Sequence, residues 1–132
     1  MSETMPAVEE RVREEYTSAP GLLALWFTVF AGPISFLLHL QLGYMLVDWA
    51  CRENGVLVLD LITIGAIALA LIGALVGWRI WVRLGREWPK GSRGGPIARS
   101  RFMSMSGVLL GLMFALVAMA QGYPALVLNP CQ

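Results

Sequence analysis

Residues 55–82 read GVLVLDLITIGAIALALIGALVGWRIWV, and this stretch decides the class of the protein. Asp60 is its one charged residue before Arg79. A helix rises about 1.5 Å per residue and a bilayer core is about 30 Å thick, so about 20 apolar helical residues cross it. The stretch is long enough, and its apolar residues run continuously instead of alternating as the strands of a membrane barrel would. Two further runs have the same character, about 21–47 before it and about 102–128 after it. The expected fold class is all-α: an integral membrane domain over 21–132 with three transmembrane helices.

Composition agrees. The 132 residues are 57% hydrophobic and 14% charged, with a mean hydropathy of +0.64. A soluble domain averages about 45–50% apolar and about 25% charged. Ten basic residues against nine acidic leave a formal charge of +1, which gives no field for binding nucleic acid. Once the three runs are removed, too little chain remains for a soluble catalytic domain. The first run follows an acidic segment containing Glu9, Glu10, Glu14 and Glu15 and is too long for a signal-peptide core, so it is read as a retained span.

Seven of the ten basic residues (Arg79, Arg83, Arg86, Lys90, Arg93, Arg99 and Arg101) lie in or beside the linker between the second and third runs, whose basic loop is placed at 83–101. The linker 48–54 carries only Arg52. This bias sets the N-terminus and the basic loop in the cytoplasm and the C-terminus on the outer side. Trp26, Trp78, Trp81 and Trp88 then fall near the inner interface, and Tyr44, Trp49 and Tyr123 near the outer one. In the N-terminal segment 1–20, Val8, Val12 and Tyr16 recur at helical spacing, which predicts a short helix on the membrane surface or on a partner, with disorder as the alternative. Residues 89–96 read as a flexible loop whose cations touch lipid headgroups. No phosphate-binding pattern is present.

In lipid, small residues mark helix contacts because they allow close backbone approach. Ala66, Ala70, Gly73 and Gly77 form one such stripe, and Gly107, Gly111, Ala115, Ala118 and Gly122 another. On the first span Thr28, Gly32, Ser35, His39 and Gly43 form a third, while Gln41, Tyr44 and Asp48 lie on nearly the opposite side. Three helices can hardly cover both faces, so a partner or cofactor is expected at the second. Pro33 removes one backbone hydrogen bond and predicts a kink.

Cys51 follows the first span and Cys131 the third, so both fall on the outer side, where oxidation is favoured. An intrachain disulfide is expected, with free thiols or an intermolecular bond as alternatives. No metal-ligand spacing surrounds them.

His39, the only histidine, falls within about 5 to 10 Å of the bilayer midplane on the outer side. An ionisable residue at that depth points to function, as a haem ligand, proton relay or quinone partner. The bland reading is a neutral ring bonded to Ser35 or to a polar group on a neighbouring helix. Gln41, Tyr44, Asp60 and Gln121 fall in the same outer half, as does Thr63, and these four with His39 are candidate quinone or cofactor contacts, although Asp60 lies near enough to the interface to reach water. Met103, Met105, Met113 and Met119 suit Cu(I) chemically, but Met103 and Met105 point about 200° apart on one helix. Nothing matches a hydrolytic motif, so no catalytic and no metal-binding residue is assigned.

The run from Gly32-Pro33-Ile34-Ser35 through His39-Leu40-Gln41 to Gly43-Tyr44, then Trp49-Ala50-Cys51 and Asn129-Pro130-Cys131, resembles a group of small three-helix bacterial membrane proteins encoded near haem-copper cytochrome c oxidases and related respiratory enzymes. The resemblance implies a multi-pass protein of the bacterial inner membrane, with the outer side periplasmic. The leading functional reading is a non-enzymatic accessory subunit packed against a larger respiratory or electron-transfer complex and against lipid, with no cofactor bound by this chain alone and haem or quinone at a shared interface. The alternative is a small haem- or quinol-binding redox protein using His39, for which a second axial ligand would have to come from another copy. A transporter or metal-insertion factor would need more helices or internal repeats.

Overall fold

The structure, a computed structural model, describes residues 5–86 and 94–131. Four helices follow in order: α1 (Met5–Thr17), α2 (Ala19–Arg52), α3 (Val56–Arg83) and α4 (Pro96–Val127), with no strand among the described residues. The last three are long and apolar enough to cross a membrane. Each of these three packs against the other two, and α1 lies across α2 and α4.

The expected boundaries move where local chemistry is strong. Ser18 is extended (ψ 158°) with Pro20 in the first turn beyond it, so α2 starts ahead of the expected 21 and runs to Arg52 instead of 47. Asn54 takes the left-handed conformation (φ 54°) that turns the chain into α3. At the far end of α3, Gly85 (φ +95°) supplies the left-handed residue of a Schellman turn, with Arg86 N–H donating to the Trp81 carbonyl at 3.2 Å and Gly85 N–H to that of Val82 at 3.2 Å. Arg101 Nε donates to the Leu84 carbonyl at 2.9 Å and satisfies another open end of the same helix. Within the expected basic loop 83–101, Pro96 opens α4 and residues 96–101 are helical. Residues 87–93, which hold Trp88, Lys90, Arg93 and most of the expected loop 89–96, lie outside the described residues.

The small-residue stripes face inward. Ala66, Ala70, Gly73 and Gly77 of α3 and Gly107, Gly111, Ala115 and Ala118 of α4 are all buried. Between α3 and α4 backbone meets backbone: a Cβ on Gly111 would stand 2.7 Å from the Ala70 carbonyl oxygen. Thr28, fully buried on α2, fills the space beside Gly107. Buried hydroxyls are satisfied within their own helices, Thr28 on the Leu25 carbonyl (2.8 Å), Ser35 on Gly32 (2.7 Å) and Ser104 on Arg101 (2.9 Å).

The N-terminal segment forms the expected short helix. One side of α1 folds onto its own bundle: Tyr16 is buried with Leu25, Ile80 and Leu84, and Val12 packs against them. Burial, reinforced by neighbouring Glu15 and opposed by Arg83, pushes the Tyr16 phenol above its ordinary range, so it stays a neutral hydroxyl.

At the other end, Cys51 and Cys131 are disulfide-bonded, with Cα atoms 5.5 Å apart across a separation of 80 residues. Asn129 Oδ1 accepts from the Cys131 N–H at 3.2 Å, turning the tail back toward α2.

Gly111→Val is expected to lower bundle stability by about 1–3 kcal/mol, because the added atoms meet backbone that cannot move aside. Gly65→Val, placed where nothing lies within 4 Å, serves as the control and should change little. Thermal unfolding of both variants in detergent checks the contrast.

Candidate polar site between the long helices

Toward the disulfide end of the bundle, His39 on α2 meets Thr63 on α3 with Nε2 3.0 Å from Oγ1. The Thr63 hydroxyl has one proton and donates it to the Leu59 carbonyl one turn back, at 3.0 Å. Thr63 therefore accepts from His39, which puts the imidazole proton on Nε2. Nδ1 is then the lone-pair nitrogen, and it is buried without a hydrogen-bond partner among the described residues. Ser35, one turn away on α2, donates to the Gly32 carbonyl instead.

Thr63 separates two shallow grooves. His39, Ser35 and Leu42 line the α2–α3 groove, of about 220 Å³, with Ile62, Ala66 and Leu69. On the α4 side, Thr63 joins Asp60, Met119, Gly122 and Tyr123 around a groove of about 200 Å³. Gly122 shapes this second groove, since a Cβ there would stand 2.7 Å from the Thr63 methyl. The Asp60 carboxylate is half-buried, four residues into α3, within about 6 Å of its start along the axis.

The remaining candidates do not join this cluster. Gln41 and Gln121 are exposed, and Tyr44 is 78% exposed. Asp48 pairs with Arg52 one turn on, both at the surface. Half a turn explains the split, because residues two and five places from His39 must point away from the face that holds it. Gly43, on the His39 stripe, also has open space beside it. Tyr123 also lines the groove beside Asp60, and the spacing of Asp60 and Thr63 (i, i+3) is the sequence signal for their shared side.

Haem fits this arrangement poorly: Nε2 is engaged by Thr63 and Nδ1 is enclosed. Each groove is also smaller than the roughly 300–1,000 Å³ of ordinary small-molecule pockets. Among the described residues, no three His, Cys, Asp or Glu side chains gather closely enough to hold a metal ion. The geometry is suited to locking α2 against α3 through one hydrogen bond in apolar surroundings. Comparisons with protein-family models, curated proteins and solved structures yield no match.

A double-mutant cycle of His39→Leu and Thr63→Val measures that lock. Coupling of about 0.6 kcal/mol, and no more than about 1.7, is the expected size for such a pair between membrane helices. Strict additivity in detergent unfolding would mean that the two side chains do not interact.

Proposed function

We propose that this chain is a non-enzymatic accessory subunit that crosses a bacterial inner membrane three times, N-terminus in the cytoplasm and C-terminus in the periplasm, and packs against a larger respiratory or electron-transfer complex. The observation that carries this reading is the second face of α2. Gln41 and Tyr44 lie along it, exposed in a helix long and apolar enough to span a bilayer, and no other described helix covers them. An amide in hydrocarbon without a partner is costly, so such a face favours protein over lipid. The seven-to-one split of basic residues between the two linkers supports the orientation, and the oxidised cysteine pair at the end opposite the basic loop agrees with it. The small extramembrane mass fits a subunit that acts by packing.

The alternative, a haem- or quinol-binding redox protein built on His39, is disfavoured because Nε2 is engaged by Thr63 and Nδ1 is enclosed. Any haem or quinone belongs, on the preferred reading, to an interface shared with the partner.

Mild detergent extraction followed by a visible spectrum separates the two. The chain is expected to co-purify with a haem-bearing complex, and His39→Phe should leave that complex's spectrum and turnover unchanged. A b-type haem spectrum from the isolated chain, lost in His39→Phe, would favour the redox reading instead.

A further inference from the structure

The end of the bundle that carries α1 holds a cleft unlike the grooves around Thr63, of about 370 Å³ between the α1–α2 corner and the last turns of α3. Its floor is apolar, with Ala24 from α2 and Val76 and Ile80 from α3. Its rim is charged. Arg79 and Arg83, one turn apart on α3, face Glu15 from α1, while α2 brings no charged group to the lining. Arg83 donates to Glu15 at 3.2 Å, so these two neutralise one another. The lining therefore carries a surplus of one positive charge, that of Arg79.

From Val56 to Trp78 the chain of α3 carries no charge except Asp60 and is otherwise almost wholly apolar. That stretch covers about 33 Å, close to the roughly 30 Å of a bilayer core, so Arg79 stands where hydrocarbon gives way to headgroups. Its long side chain can lay its methylenes over the apolar floor and keep its guanidinium at the interface.

We infer that this cleft binds one anionic phospholipid, its phosphodiester on Arg79 and the first part of an acyl chain over Ala24, Val76 and Ile80. A phosphodiester carries the single negative charge that matches the surplus, and a guanidinium offers it paired donors. A zwitterionic lipid would bring a second cation toward Arg79 with no free carboxylate to receive it, because Glu15 is already paired with Arg83. The inference requires the membrane reading of α3 and is independent of the identity of any partner complex.

Native mass spectrometry of the full chain, extracted in mild detergent and offered equal phosphatidylglycerol and phosphatidylethanolamine, tests it. Wild type should retain one phosphatidylglycerol preferentially. R79Q should lose about five-fold of that preference, the factor corresponding to about 1 kcal/mol per basic residue at a membrane surface. E15Q releases Arg83 and should strengthen retention, a gain that a misfolded variant would not produce. Equal retention of the two lipids, an R79Q variant that holds phosphatidylglycerol as wild type does, or weaker retention by E15Q would each overturn the assignment. Displacement of the lipid by excess glycerol 3-phosphate would overturn it too, by showing that the cleft takes a soluble phosphate.

Discussion

Everything in this fold depends on how closely α3 and α4 approach at Gly111 and Ala70. Apolar helices gain nothing by hiding from lipid, which is as apolar as they are, so their association rests on atomic contact and on hydrogen bonds that lipid cannot supply. The absence of a side chain at Gly111 brings its backbone against the Ala70 carbonyl, and the buried stripes above and below continue the contact along both helices. Thr28 then seats α2 beside Gly107, in the furrow the other two leave. With three helices fixed in this way, large residues such as Leu37, Leu61 and Leu116 face outward, an arrangement suited to lipid and not to water.

The two ends of the bundle are tied by different chemistry. At one, the bond between Cys51 and Cys131 joins the end of α2 to the chain beyond α4. At the other, Tyr16 is buried against Leu25, Ile80 and Leu84, and Arg101 caps the last turn of α3. The ion pair of Glu15 with Arg83 adds little to stability, since both side chains are largely exposed. Between the ends, the His39–Thr63 hydrogen bond is a polar tie between α2 and α3.

The sequence foretold the three long helices because each run is continuous and long, and it foretold the inward stripes because small residues recur at steps of three and four. Boundaries were harder to read. Charge at Arg99 and Arg101 suggested a loop, yet Pro96 is a favoured first residue of a helix and opens α4 there. Polar residues sharing a depth suggested one site, but depth does not fix azimuth. Gln41 and Tyr44 point away from His39, and Gln121 stays exposed while the neighbouring Gly122 faces Thr63. That His39 would choose Thr63 over Ser35 was beyond sequence, because Ser35 had its own helix carbonyl within reach and the register between α2 and α3 is set by packing. The docking of α1 depended likewise on a tertiary cluster that the spacing of Val12 and Tyr16 only hinted at.

On the proposed reading, α2 has two working faces, one closed by its own chain and one closed by a partner. Lipid-phase accessibility in native membranes addresses this most directly, with spin labels introduced at Tyr44 and at Leu61, both exposed in the isolated chain and near the same end of the bundle. The account predicts that a label at 61 meets a membrane-dissolved relaxing agent freely while a label at 44 is shielded until the complex is dispersed. Equal accessibility of both positions in native membranes would contradict it.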